Sequence, residues 1–280
     1  GQGHETAFAQ IMAETFGIDF ARINFIQGDT AYVQFGGGTG GSRSSQMGGV
    51  AVKRAGERVI ARGREVAAEL MQSELERVIY EAAVYRLEDG SAEVSLTEVA
   101  RAAGTQQFGA EGLAETHRYD RGAGTYTFPN GAHVAEVEID PDTGTVEVLR
   151  YTAVDDCGRV INPLLAAGQV HGGVVQGLGQ ALLEEAIYDS EGQLLTGSFL
   201  DYAMPFAGNM PDVEVSFNEV LDPNNELGVK GIGEGGACGA PPAVVGAVLD
   251  ALAERGVTSI DMPLTSEKIW RTLANQDSSS

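Results

Sequence analysis

The chain has 280 residues, a formal net charge of −22 and 38 glycines, a glycine share of about 14% that is roughly twice the usual one. A hydrophobic content of 43% can supply a core and excludes a disordered acidic tail, and the length predicts one large domain or two lobes. The negative charge argues against nucleic acids and anionic membranes as partners, and no apolar run reaches the roughly 18 residues of a membrane span. Cys157 and Cys238 are too few for a disulfide scaffold, a zinc ribbon or a four-cysteine iron–sulfur site.

The first part of the chain alternates between helical and extended patterns. Apolar residues from Phe8 to Phe16 recur at helical spacing, and Gly17 is suited to end that helix. Beyond it we predict a short strand that begins at Ile23 and ends at Gly28-Asp29, followed by a loop without apolar side chains at 36–45. A helix from Gln46 to about Leu75, a strand at 78–85 that enters a hairpin at Glu88–Gly90, and a capped helix at 95–101 come next.

The second part contains the clearest strand pair. A polar, glycine-rich stretch at 104–130 indicates either a long functional loop or a lobe boundary. Alternating apolar residues at 134–139 and 146–151 then flank the turn Asp140–Gly144, which predicts an antiparallel hairpin. The remaining predicted elements are a helix from Asn162 to Glu185, a strand at 213–217, and a helix at 240–253 with Pro241 and Pro242 in its first turn. The alternation predicts a mixed α+β or α/β architecture.

Glycines cluster next to helix starts at 1–5, 36–45 and 231–239, with a further run at 168–179. Backbone N–H groups in such clusters can meet an anion without side-chain obstruction, although a tight turn explains any one cluster alone. No Gly-Lys-Ser/Thr follows a cluster and no strand leads into G-x-G-x-x-G, so neither a P-loop nor a dinucleotide fingerprint is present. In so acidic a chain, phosphate binding would depend on these N–H groups and on a well-placed arginine, for which Arg43 is the candidate.

Glu234 has glycine on both sides, so its carboxylate is unshielded by its neighbours and is suited to work as a general base. A solvated loop glutamate is the alternative interpretation. The amides of Gln2, Gln169 and Gln176 lie inside glycine clusters, where they could contact a heterocyclic cofactor or cap helices. The four histidines show no metal-ligand spacing with one another, and Cys157 is expected to be an ordinary buried or loop thiol.

Several short motifs occur in order along the chain: Gly1–Thr6, Gly40–Ser45, Asp156–Pro163, Gly168–Val170, Gln176–Gly179, Glu184-Glu185 and Lys230–Glu234. Together they make the chain similar to the molybdenum hydroxylases, the family of xanthine dehydrogenase and aldehyde oxidase with its carbon monoxide dehydrogenase relatives. The match spans nearly the whole chain and corresponds to the C-terminal, molybdopterin-binding half of the family's large subunit. The resemblance implies an α+β fold of mixed sheets and packed helices, with a first lobe at 1–104, a connecting loop at 105–130 and a second lobe at 131–280 that carries the Gly-Glu catalytic loop.

The resemblance also implies roles for individual residues. The implied cofactor-binding positions are Gly1, Gln2, Gly41, Ser42, Arg43, Ser44, Gln169 and Gly233. Among them, Gln2 matches an amide that hydrogen-bonds the pterin, and Arg43 is added where the cofactor is extended by a nucleotide, as in the cytosine dinucleotide form. Glu234 matches the catalytic glutamate that acts as base. No protein ligand to molybdenum is expected, because the family holds the metal through the dithiolene of the cofactor.

The resemblance therefore implies an oxidoreductase that hydroxylates an aldehyde or an N-heterocycle with water as the oxygen source. Expected partners are the N-terminal half of the molybdenum subunit and subunits or domains that carry [2Fe–2S] clusters and FAD, in a cytoplasmic complex that dimerises. The isolated piece is expected to hold little or no molybdenum and to be inactive. Alternatives are a cofactor-free binding or assembly fragment, part of a carbon monoxide dehydrogenase large subunit, and an unrelated nucleotide-binding module. In sequence, the segment 235–242 resembles the aldehyde-oxidase-like members of the family more than the true carbon monoxide dehydrogenases.

Overall fold

The structure is a computed structural model, and it describes residues 1–33, 36–105, 112–122 and 125–277. Two compact units are present and each is treated by itself. The first is formed mainly by 3–126 together with 222–229, and the second mainly by 127–221 and 230–280. The predicted connecting loop at 105–130 lies partly outside the described residues. The predicted lobe limits at 104 and 131 differ from those of the compact units, and the assignment of a role to each lobe stays a prediction.

The first unit packs three helices and a small sheet. Its helices are α1 (His4–Phe16), α2 (Val50–Leu70) and α3 (Leu96–Ala103), and its antiparallel sheet has the order β1 (Val78–Glu81), β2 (Val84–Leu87) and β3 (Glu93–Ser95). Gly17 adopts the left-handed conformation that ends α1, as predicted. The predicted start of α3 is confirmed by a capping box, in which Ser95 and Glu98 satisfy each other's backbone N–H groups.

Three predictions for the first unit were wrong. Residues 23–29 form no strand, and the ring of Phe25 instead packs edge-on against Phe8, with 5.8 Å between centroids. The helix predicted to reach Leu75 ends at Leu70, because Gln72 takes a positive φ of 54° just beyond it. The single strand predicted at 78–85 is two strands, since Ala82 and Ala83 both adopt positive φ and turn the chain where no glycine marks a turn.

The second unit places helices on a mixed sheet. Its strands β4 (Asn130–Ile139), β5 (Val146–Asp156) and β6 (Val213–Phe217) lie in that order, with β4 antiparallel and β6 parallel to β5. Its helices are α4 (Pro163–Leu182), α5 (Gly235–Ala251) and α6 (Ser266–Asp277). The predicted hairpin and the predicted strand at 213–217 are confirmed, and the whole fold is α+β, as expected.

Two further boundaries were predicted wrongly and one helix was missed. Helix α4 ends at Leu182 rather than Glu185. Helix α5 begins at Gly235 rather than Ala240, so Pro241 and Pro242 fall in its second turn. A start rich in glycine hides a helix from propensity arguments, because glycine is the least favourable residue after proline in a helix interior. Helix α6 has no counterpart among the predicted elements.

Small residues bring α4 and α5 into close contact. A Cβ placed on Gly173 would lie 2.9 Å from the backbone nitrogen of Ala237, and one on Gly236 would lie 2.5 Å from the carbonyl oxygen of Val170. The two helices therefore meet backbone to backbone at the first turn of α5. Around them, the buried apolar core of the second unit includes Tyr151, Val174, Leu178, Val244, Val248 and Ile269.

Candidate functional site

The loop at 36–45 of the first unit presents open backbone. Nothing lies within 4 Å of the position that a Cβ would take on Gly40 or Gly41, and both Gly41 and Ser42 have positive φ, at 61° and 51°. The Ser44 hydroxyl donates to the Thr39 hydroxyl oxygen over 3.5 Å, and the Arg43 carbonyl accepts from the Met47 N–H at 2.8 Å in the π-helical turn Ser45–Gly49 that follows. The loop therefore combines exposed glycines and half-buried serines with the exposed residue Arg43.

A buried glutamine, Gln46, directly follows this loop. Gln46 is 1% exposed, and among the described residues its Nε2 has no hydrogen-bond partner. A buried donor left unsatisfied costs about 1–3 kcal/mol, so a polar group at such a position is expected to meet an acceptor when the site is filled. Together with the open glycines, this orphaned donor fits a phosphate-bearing cofactor better than it fits a purely structural turn.

The other predicted cofactor contacts lie just before α1 and within α4. Gly1 and Gln2 are exposed and directly precede α1, whose N-cap residue Gly3 has a positive φ of 75°. Gln169 is half-buried within α4, and the Asn162 side chain caps that helix by accepting from the Leu165 N–H at 3.0 Å. The predicted residues thus lie on the chain that leads into α1 and on a partly exposed position of α4.

Glu234 is the N-cap residue of α5, and both it and Gly233 are exposed. Its carbonyl oxygen accepts from the Cys238 N–H at 3.0 Å. The positive end of a helix dipole favours a carboxylate at this position. Val170 follows Gln169 in α4, and its carbonyl oxygen lies against Gly236 in the first turn of α5. The segments that carry Gln169 and Glu234 are therefore side by side in the second unit.

The loop that carries Glu234 starts from a buried ion pair. The Lys230 ammonium bonds to Asp156 Oδ2, and Asp156 Oδ1 accepts from the N–H groups of Gly158 at 2.8 Å and Val220 at 3.1 Å. Burial opposes the charged form of Asp156, but the bonds from Lys230 and the two N–H groups outweigh it, so the pKa of this carboxyl lies below its usual value. The Lys230 N–H also donates to the Cys157 carbonyl at 2.7 Å.

A second buried network lies under α5. His133 Nε2 is 3.2 Å from Asp155 Oδ1, and His133 Nδ1 is 2.8 Å from the Tyr151 hydroxyl oxygen. The two ring nitrogens of His133 thus bridge the Asp155 carboxylate and the Tyr151 hydroxyl, which both belong to β5. Burial, followed by the nearby Asp155 carboxylate, raises the pKa of Tyr151. Asp155 Oδ2 is buried and, within the described part of the chain, has no hydrogen-bond partner.

Sequence reasoning missed both networks. From the sequence, His133 was considered only as a metal ligand and Cys157 only as a thiol. The predicted strand before Cys157 nevertheless ends in two adjacent carboxylates, Asp155 and Asp156. The two adjacent aspartates could have indicated a buried network, because aspartates at a strand end are rarely buried unless they are paired.

Cys157 is buried, and burial raises the pKa of its thiol to about 11. In the ranges that the structure describes, no three His, Cys, Asp or Glu side chains are grouped so as to hold a metal ion. Nor does any helix described there have the length and apolar character to cross a bilayer.

Comparison with known proteins gives the family. The profile described as "Molybdopterin cofactor-binding domain" matches residues 1–211. The chain is 39% identical over 284 residues to the nicotine 6-hydroxylase large subunit of Paenarthrobacter nicotinovorans, covering 97% of this chain and 34% of that subunit. It is 36% identical over 276 residues to the carbon monoxide dehydrogenase large chain of Hydrogenophaga pseudoflava, covering 98% and 34%.

Solved structures agree with this assignment. Quinoline 2-oxidoreductase from Pseudomonas putida 86 superposes with a TM-score of 0.86 at 36% identity, covering 98% of this chain and 35% of the other. A carbon monoxide dehydrogenase from Oligotropha carboxidovorans gives a TM-score of 0.89 at 32% identity, covering 100% and 35%. The chain thus spans about a third of the length of the relatives it matches. It belongs to the molybdenum hydroxylase family and carries the molybdopterin cofactor-binding domain of these oxidoreductases.

Proposed function

We propose that this chain forms the cofactor-binding and base-carrying part of an enzyme that hydroxylates an N-heterocycle or an aldehyde with water as the oxygen source. The observation that carries the proposal is Glu234, an exposed carboxylate at the start of α5 that follows an exposed glycine within a chain of this family. The molybdenum cofactor, when bound, supplies the two-electron oxidation. Glu234 accepts the proton that the water-derived oxygen loses as it becomes nucleophilic.

The remaining predicted residues hold the cofactor. The N–H groups and hydroxyls at Gly41, Ser42 and Ser44 bind its phosphate, with Arg43 adding positive charge, and they do so against the negative field of the chain. The amides of Gln2 and Gln169 contact the pterin, with Gly1 and Gly233 leaving room beside them. The orphaned Nε2 of Gln46 supports a bound acceptor behind the same loop. A cytosine nucleotide on the pterin would extend toward Arg43.

Relatives support an N-heterocycle as the substrate class. The names of nicotine 6-hydroxylase and quinoline 2-oxidoreductase identify N-heterocyclic substrates for those two proteins, and both are as similar to this chain as the carbon monoxide dehydrogenase large chain is. Carbon monoxide oxidation is the second candidate, because the carbon monoxide dehydrogenases superpose with a TM-score of 0.89.

The enzyme needs further polypeptide. The chain has two cysteines, and a [2Fe–2S] cluster is held by four thiolates, so the electrons leave through partner domains that carry such clusters and FAD.

The rest of the molybdenum subunit covers an apolar surface of this chain. That surface, which we call the 187–206 segment, exposes large apolar side chains that include Ile187, Tyr188, Leu195, Phe199, Leu200 and Phe206. Assembly into a cytoplasmic dimer of the full complex completes the proposal.

The test is Glu234→Gln in the complete enzyme, with the exposed Glu254→Gln as the matched control. Removing a general base is expected to lower kcat by about 100-fold or more. Molybdenum and pterin content should stay at the level of the unmodified enzyme, because the side chain of Glu234 is not among the cofactor-holding groups. Near-normal turnover of fully loaded Glu234→Gln enzyme would refute the assignment of the base.

A further inference from the structure

Strand β5 ends in two consecutive buried carboxylates, Asp155 at 4% and Asp156 at 5% exposure. Successive side chains of a strand point to opposite faces, so the two carboxylates serve different neighbours. Each of them lies next to one end of the short segment 231–234 that carries the candidate base. Neither carboxylate contributes to the chemistry described above.

Asp156 holds the beginning of that segment. It binds the Lys230 ammonium through Oδ2, while Cys157, the next residue, accepts the Lys230 N–H at 2.7 Å. Lys230 is therefore fixed through its side chain and its backbone to adjacent residues of one strand end. Asn130 Nδ2 and two backbone N–H groups complete the bonding of the Asp156 carboxylate.

Asp155 lies at the other end of the segment, where α5 begins. Its Oδ1 is 3.9 Å from the position a Cβ would take on Gly235, and it is bonded to the His133 ring. That ring fills the space beside Gly239, where a Cβ would lie 2.5 Å from Nδ1. The His133–Asp155 pair therefore packs directly against the first turn of α5, which starts at Glu234.

We propose that Asp155 and Asp156 are positioning residues for Glu234, because Asp156 bonds Lys230, which precedes the segment 231–234, while the His133–Asp155 pair packs against the first turn of α5, which follows it. The inference rests on the proposed function, in which Glu234 is the base. A four-residue segment that is bonded at one end and packed against a buried pair at the other leaves its last side chain little freedom. Misplacing a catalytic group by about 1 Å can lower a rate by about 100-fold.

The test uses Asp155→Asn and Lys230→Met in the complete enzyme, with Asp250→Asn, an exposed position on α5, as the matched control. Both test variants are expected to lower kcat by about 10-fold or more while the substrate KM changes by less than about two-fold. Hydrogen exchange of the amides at 231–238 is expected to quicken by about 10-fold, whereas amides of α6 keep their rates. His133→Gln, which removes the ring and keeps an amide, should give the same pattern if Asp155→Asn does not fold.

Uniformly faster exchange across the second unit, or a change in KM alone, would overturn the positioning role in favour of a purely structural one. Unchanged exchange at 231–238 together with unchanged kcat would overturn it as well. The exchange readout does not depend on the identity of the base. Glu234→Gln could keep its activity while hydrogen exchange at 231–238 still quickens in Asp155→Asn. That combination would refute Glu234 as the base and would support the contact of β5 with the segment 231–234.

Discussion

The two cysteines of the chain occupy opposite environments. Cys157 is buried at the end of β5 with a pKa raised by burial to about 11, whereas Cys238 is exposed in the first turn of α5. Only the thiolate is nucleophilic, so at pH 8.5 we expect iodoacetamide to label Cys238 alone in the folded protein and both cysteines in denaturant. Mass spectrometry of the labelled peptides measures this, and Cys238→Ser should abolish labelling of the folded state. Rapid labelling of Cys157 without denaturant would show that the strand end is open.

At the same scale, sequence reasoning could single out residues whose neighbours along the chain expose them. Glu234 between glycines and Arg43 inside a polar loop are exposed in the structure, as their local sequence suggested. Their roles stay predictions. The contact between His133 and Asp155 could not be found in this way, because it joins residues 22 positions apart through the register of β4 on β5. Buried polar pairs depend on pairing between strands, which local composition does not determine.

At the scale of elements, neighbouring glycines in α4 have different roles. Gly172 is exposed with nothing within 4 Å of an added Cβ, while Gly173 faces the backbone of Gly236 and Ala237. We expect Gly172→Ala to stabilise the chain by about 0.5–1 kcal/mol through helix propensity. Gly173→Ala is expected to destabilise it by about 1–3 kcal/mol, because rigid backbone must move apart. Urea unfolding of the two variants measures the difference, and equal effects would rule out the backbone contact between α4 and α5.

Element boundaries were predictable where side-chain chemistry marks them and were missed where backbone geometry alone sets them. The capping box at Ser95 and the hairpin around Asp140–Gly144 carry recognisable residue patterns, and both are present. The turn at Ala82-Ala83 and the start of α5 at Gly235 carry no such pattern. In both cases tertiary packing overrides local propensity, because β2 and α5 each bury residues against a core that the local sequence does not reveal.

At the scale of the whole molecule, a net charge of −22 coexists with a strongly apolar surface on the 187–206 segment. Phe199 and Leu200 are 86% and 94% exposed and are adjacent in sequence. An exposed apolar patch on a chain whose relatives are about three times as long is expected to be covered by the rest of the subunit. The charge keeps such a surface from promoting indiscriminate association, since like-charged copies repel one another.

This coverage predicts that one pair of substitutions has different effects on stability in the chain alone and in the complete subunit. In the 280-residue chain alone, Phe199→Ser combined with Leu200→Ser should leave the free energy of unfolding nearly unchanged, because both side chains are already in water. In the complete molybdenum subunit the same pair should be destabilising by about 3 kcal/mol or more, the free energy of burying two large apolar side chains. Urea unfolding of both proteins measures the two effects side by side. Equal effects in the two contexts would show that the segment stays exposed in the assembled enzyme, and the remaining polypeptide would then have to pack elsewhere.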